Sequence, residues 1–168
     1  MRRATRNGRP RKGSAGRDRV KNMVFYMHDV LAPAASATAV RVAAQKGKLR
    51  GSPSLGATLV FDDKLTEGPN PKSTEIGRGQ GLYTLASLTS ADLLLVFTAI
   101  FHRPTIYNGS TLCLHGSDRV FLPEREIGVV GGTGHFRWAR GYATLSTVSF
   151  SLSSGNAIIK FNLTLLLP

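Results

Sequence analysis

Beyond about residue 23 the chain alternates apolar and polar side chains with a period of two, and no stretch sustains the 3.6-residue period of a helix. Eight segments carry the pattern: "NMVFYMHDVL", "TAVRVAAQ", "ATLVFDD", "IGRGQGLYTLASL", "LLLVFTAIFH", "YNGSTLCLHG", "FRWARGYATLSTVSFSL" and "AIIKFNLTLLL". Turn-forming stretches separate them, including "KGKLRGSPSLG", "LTEGPNPKS", "TSAD", "SSGN" and the hairpin signal "NG" at Asn108–Gly109. An alternating strand must bury one face, and eight short antiparallel strands do so in a sandwich or a closed barrel. Closure removes the sheet edges and leaves an interior that can hold one small ligand. The fold class is therefore all-β, with an eight-stranded antiparallel β-barrel and an internal pocket as the expected architecture.

The 168 residues make one domain, and charge divides them in two. Of a net charge of +12, residues 1–22 supply nine Lys/Arg against one Asp; the rest of the chain is only mildly basic. Residues 1–22 have no apolar periodicity and read as a disordered basic tail, with residues 23–168 as the folded domain. Such a tail attracts phosphates through counterion release. The body, however, has no zinc-ligand spacing, helix-turn-helix pattern or aromatic single-strand platform, which argues against a nucleic-acid partner. The basic start lacks the apolar stretch of a secretory signal, and "LLLVFTAIF" is too short to cross a bilayer as a helix. Cys113 is the lone cysteine and the four histidines show no ligand spacing, so neither a disulfide nor a metal cofactor is expected.

In "GVVGGTGHF" no Lys-Ser or Lys-Thr follows the glycines and no helical pattern stands behind them, so a phosphate-cradling loop is excluded. Gly131, Gly132 and Gly134 are expected to supply positive φ angles at a tight reversal. In "IGRGQGLY" the period of two puts Gly77, Gly79, Gly81 and Tyr83 on one face. That pattern fits either a cavity with a phenol at one end or a close approach of backbones. Asp62 and Asp63 read as strand-end and turn residues with no pocket role, and Trp138 as a packing residue.

The blocks "FYMHDVL", "TLVFDDKLTEGP", "IGRGQGLY", "YNGSTLCLHG", "REIGVVGGTGHFRWARGYA" and "AIIKFNL" together resemble the plant dirigent family, from about Val24 to Leu166. The resemblance implies an eight-stranded barrel with a pocket, assembled as a homotrimer or homodimer and secreted to the apoplast. It also implies a role in lignan and phenylpropanoid metabolism without oxidative power or cofactor. A separate laccase or oxidase makes phenoxy radicals, for example from coniferyl alcohol, and the dirigent protein sets the stereochemistry of their coupling. Other members act on quinone methides as cyclases or dehydratases. By resemblance, Asp29 and Asp118 are the pocket acids that donate protons. Arg125 orients Asp118 or binds a phenolic oxygen, and Tyr83 holds the intermediate. Lignan-forming members have a signal and a disulfide that this sequence lacks, and "GGTGHFRWARGYA" is closer to the dirigent-like groups of grasses.

The chemistry suits these residue types. A coupled quinone methide must gain a proton on its quinoid oxygen while a hydroxyl attacks, and a carboxyl in an apolar cavity can supply that proton. Choosing one face of a reactant tenfold over the other takes only about 1.4 kcal/mol. Secretion would bring the sequons at Asn108 ("NGS") and Asn162 ("NLT") into play, Asn108 in a turn and therefore the better glycosylation site. A barrel that merely binds an apolar metabolite, with the acids incidental, is the blander alternative.

Overall fold

The computed structural model describes residues 19–44 and 55–168. Among these residues nine strands form one antiparallel sheet: β1 (Arg19–Asp29), β2 (Ala39–Ala43), β3 (Thr58–Thr66), β4 (Glu75–Leu85), β5 (Leu93–Phe101), β6 (Thr111–Asp118), β7 (Arg125–Thr133), β8 (Arg140–Phe150) and β9 (Ala157–Leu167). Their order is β1-β9-β8-β7-β6-β5-β4-β3-β2, and a further pairing of β1 with β3 closes the first eight-stranded circuit. The register of that seam is Tyr26 opposite Thr66, Met27 opposite Leu65 and His28 opposite Lys64. β2 lies outside the circuit, pairing β3 beyond the end of β1.

The barrel thus has eight strands, but not the eight that alternation picks out. β2 is the extra strand, and β7, which reads as a glycine turn, is in the barrel. β7 hides because a bulge breaks its period: Cys113 faces Gly131 while Leu114 faces Val129, leaving Val130 unpaired and 65% exposed. Gly131 and Gly132 lie within this strand, and only Gly134 of the three has a left-handed φ, +59°. The cluster is mostly strand, with one turning glycine at its end. Trp138 is also corrected: it is 78% exposed, with φ 66°. β8 starts only at Arg140, so Trp138 sits in a turn, where strand periodicity assigns no inward face. The basic tail falls outside the described residues up to position 18. Arg19–Asn22 belong to β1, paired with Leu167–Thr164, which places the strand's start before residue 23.

Inward positions alternate as period two requires. Phe25 stacks on Phe161 at 5.1 Å between ring centroids, and Phe161 meets Phe97 edge-on at 5.4 Å. Phe101 and Phe136, 5.4 Å apart, fill the interior nearer the end where β5 finishes. These side chains are fully or almost fully buried.

The β4 glycines make room for this packing. Phe97 and Met27 fill the space over Gly79, while a Cβ at Gly77 or Gly81 would collide with the carbonyl oxygen of Ile100 or Val96. Close backbone approach, rather than open space, is what these two glycines serve. Gly81→Ala is accordingly expected to destabilise the fold by about 3 kcal/mol, since backbone cannot give way. Gly79→Ala, facing the flexible Met27 Sδ at 3.3 Å and Leu65 Cδ2 at 3.4 Å, should cost about 1 kcal/mol. Denaturant midpoints of the two variants check the contrast.

Candidate active site at the barrel mouth

Antiparallel order brings the C-terminal ends of β1, β4, β6 and β8 to the same mouth as the N-terminal ends of β3, β5, β7 and β9. Asp29 ends β1, Tyr83 lies two residues before the end of β4, Asp118 ends β6 and Arg125 begins β7. Each shares parity with buried core residues of its own strand: Met27, Gly79, Leu114 and Ile127. The four residues therefore converge on one end of the barrel, from sequence positions nearly a hundred residues apart.

They form two pairs. The Tyr83 hydroxyl donates to Asp29 Oδ2 at 3.1 Å, and its ring packs against Phe61 at 5.8 Å. Arg125 Nε donates to Asp118 Oδ1 at 2.7 Å and Arg125 Nη1 donates to Thr147 Oγ1 at 3.0 Å. Both members of the second pair are buried. No hydrogen bond links one pair to the other among the described residues.

The environments differ. Burial pushes the Asp29 carboxyl up from 3.8 to about 6, against the opposing pull of the Tyr83 hydrogen bond. Its Oδ1 is buried without a partner. Burial, then the neighbouring Asp29 charge, pushes the Tyr83 phenol well above its ordinary range, so it stays a donor. Asp118 instead faces a guanidinium that can neutralise its charge.

Sequence reasoning passed over three participants. Asp63 is fully buried rather than at a strand end, with its Oδ1 accepting from the Thr38 hydroxyl at 2.5 Å. In "LVFDDKL" the period of two sets Asp63 on the face of Leu59, Phe61 and Leu65, a signal that was there to read. Asp62, on the other face, is exposed and pairs with Arg78 Nε at 2.8 Å. Asn156 accepts from Leu31 N at 2.9 Å and Ala32 N at 3.0 Å, and donates to the Ala32 carbonyl at 2.8 Å. It thereby clamps the segment that follows Asp29. His28, on the outer side of β1, is buried next to Thr66. Because the Thr66 hydroxyl donates to the Gly68 carbonyl, His28 Nε2 must be the N–H donor in its 2.7 Å bond with Thr66. His28 Nδ1 is then a bare, unpartnered acceptor, and burial followed by the Lys64 charge holds the ring below its usual pKa.

A cleft of about 470 Å³ opens beside Asp29, bounded by His28, Phe150, Asn156 and Ile158 among others; Tyr83, Asp118 and Arg125 do not line it. No cluster of potential metal ligands occurs among the described residues. No described helix is long and apolar enough to cross a membrane.

A barrel of this topology, with buried acids at one mouth, matches known proteins over nearly its whole length. The family profile described as Dirigent-like protein matches residues 20–166. The chain belongs to the dirigent-like family. Arabidopsis thaliana dirigent protein 23 is 41% identical over 152 residues, covering 90% of this chain and 80% of the relative. Pterocarpan synthase 1 of Glycyrrhiza echinata is 36% identical over 147 residues, covering 87% and 77%. A solved structure of a pterocarpan synthase dirigent protein superposes with a TM-score of 0.83 at 34% identity, covering 93% of this chain and 89% of that one. Among dirigent-like proteins, then, this chain shares fold and family with members named pterocarpan synthase.

Proposed function

We propose that this dirigent-like protein directs ring closure of a phenolic quinone methide, acting as a cyclase or dehydratase without a cofactor. The observation that carries the reading is Asp29: a carboxyl buried at the barrel mouth, one oxygen fixed by Tyr83, the other unpaired, and its pKa pushed up to about 6. Such a group holds a proton near neutral pH and can give it to a bound oxygen. In the dehydrative route a hydroxybenzylic alcohol loses its C–O bond as Asp29 protonates the departing hydroxyl, and water leaves. The phenol proton is released to the Asp118 carboxylate, and proton exchange with solvent afterwards returns Asp118 to its carboxylate and Asp29 to its acid. The resulting quinone methide closes when an internal phenol oxygen adds to the methide carbon; its proton is lost as the quinoid oxygen gains one. Net, an alcohol becomes a cyclic ether plus water, with no electrons exchanged.

Asp29 is paired with a phenol and Asp118 with a guanidinium, and these different partners support giving the acids different roles, Asp29 as donor and Asp118 as acceptor. Arg125 keeps Asp118 in place and Tyr83 hydrogen-bonds the intermediate. The relatives named pterocarpan synthase support the ring-forming chemistry.

A second reading is favoured by membership alongside relatives named dirigent protein: stereo-direction of phenoxy radical coupling, in lignan formation for instance, after a separate laccase or oxidase has made the radicals. The same acids would serve the bis-quinone methide that coupling yields. Chiral chromatography separates the two. A 2-hydroxyaryl benzylic alcohol with a pendant phenol is incubated without oxidase, and coniferyl alcohol is oxidised by laccase with and without the protein. Enantiopure cyclic ether in the first arm supports the cyclase; enantiomeric excess confined to the second moves the assignment to radical coupling; racemate in both overturns the two together.

The same reading places the protein in the apoplast as a homotrimer or homodimer. Asn108 is exposed in its turn. Expressed through a plant secretory pathway, the protein should gain a glycan mass that disappears in Asn108→Gln; an unmodified secreted product would remove Asn108 as the site.

A further inference from the structure

The β1–β3 seam carries more than the closure of the barrel. Its register pairs residues whose numbers advance in opposite directions, Tyr26 with Thr66, Met27 with Leu65 and His28 with Lys64. One step further sets Asp29 beside Asp63. Both side chains point inward, with the parity of Met27 and Leu65. Thr38 ties the two ends together: its backbone N–H donates to the Val30 carbonyl at 2.7 Å, its hydroxyl oxygen accepts from Val30 N at 3.1 Å, and that hydroxyl donates to Asp63 Oδ1 at 2.5 Å.

Accounting for the oxygens leaves one matched pair. Asp29 Oδ2 takes the Tyr83 hydroxyl and Asp63 Oδ1 takes the Thr38 hydroxyl, whose single proton is thereby committed. Asp29 Oδ1 and Asp63 Oδ2 are both buried and both without a partner. A bare carboxylate oxygen on each of two neighbouring seam residues inside a barrel is costly, and one proton shared by the pair removes the cost.

We infer that Asp63 is a positioning residue that shares one proton with Asp29 across the β1–β3 seam and keeps it available to the mouth. This rests on the reading of Asp29 as the proton donor. Thr38, Asp63, Asp29 and Tyr83 then form one hydrogen-bonded line, and Asp29 is its member on the cleft. Burial first, and the Asp29 charge second, push Asp63 up to about 8, as a retained proton requires. The other groups facing the pair are Arg78 and Asp62 on the outer side of the sheet, Arg41 acting on Tyr83, and Lys64 beside His28.

The test is carbon-13 NMR of the full chain labelled at aspartate carboxyl carbons, titrated from about pH 4 to about pH 9. Both signals should show two inflections, near 6 and 8, because each carboxyl senses the other's proton. In Asp29→Asn the Asp63 inflection should fall to lower pH. Thr38→Val keeps both carboxyls and should move the upper inflection higher, because the hydroxyl no longer favours the anion. A single Asp63 inflection unmoved by Asp29→Asn overturns the inference.

Activity gives a second readout, with the 2-hydroxyaryl benzylic alcohol as probe. Wild type should hold its rate until the second proton leaves, near 8. Asp63→Asn, having no reserve, should lose about tenfold per pH unit above the Asp29 step. An Asp63→Asn profile matching wild type, with Asp29→Asn inactive, refutes the shared proton and leaves the proposed function standing. An active Asp29→Asn refutes the proposed function itself.

Discussion

Asp29→Asn should lower kcat/KM for ring closure by about 10²–10⁴-fold while leaving the barrel folded. That loss corresponds to about 3–5 kcal/mol of transition-state stabilisation. The amide keeps the volume and can still accept from the Tyr83 hydroxyl, so the geometry of the mouth survives, but it cannot release a proton. Stability should respond in the opposite sense. The folded pKa of about 6 lies above the unfolded value of 3.8. Between them the native state binds more protons than the unfolded one, so the Asp29 contribution to wild-type stability falls as pH rises through this window, and Asp63, pushed up to about 8, carries the decline on to about pH 8. The slope is at most about 1.4 kcal/mol per pH unit for one group. Asp29→Asn removes that part of the slope and should be the more stable protein at pH 7. Lower activity with higher stability marks a strained functional acid; a structural acid would lose stability when replaced. Thermal unfolding across pH, beside single-substrate kinetics, reads both.

Arg125→Leu should cost about 3–5 kcal/mol of stability. The Arg125 side chain is 2% exposed and that of Asp118 is 9% exposed. Removing the guanidinium leaves the Asp118 carboxylate in the barrel without its counterion and Thr147 without its donor. For a domain of this size such a loss lowers Tm by about 10 °C. The double variant Asp118→Asn/Arg125→Leu should be less destabilised than the sum of the singles, since no charge is then left unpaired. Equal or additive losses would mean that the pair contributes nothing as a pair. A surface ion pair such as Arg119–Asp92, at 3.7 Å, gives the comparison: its loss should change stability by under about 1 kcal/mol.

How far the sequence discloses this molecule follows from how local each signal is. Alternation in "AIIKFNLTLLL" and "LLLVFTAIF" survives intact as β9 and β5, because each strand buries one face along its whole length. It fails for β7, where the bulge at Val130 shifts the phase and glycines erase the contrast between faces. Tyr83 could be placed on an inward face from parity alone. Its partner could not, since the bond to Asp29 spans 54 residues and depends on how β1 and β4 meet at the mouth. Asp63 is the instructive case. Two adjacent aspartates look like a turn, yet a period of two sends one to solvent and an ion pair with Arg78, and the other into the core. Burial of a carboxyl is a property of the closed seam, and β1 must lie against β3 before it exists. The mouth clamp by Asn156 has the same origin, joining residues 124 and 125 positions apart.

The experiment that bears most on the function is incubation of the purified protein with a 2-hydroxyaryl benzylic alcohol carrying a pendant phenol, with no oxidase present, followed by chiral chromatography. Formation of one enantiomer of the cyclic ether, absent without protein and lost in Asp29→Asn, is the predicted result. Racemic ether at the uncatalysed rate, identical with wild type and Asp29→Asn, would contradict it.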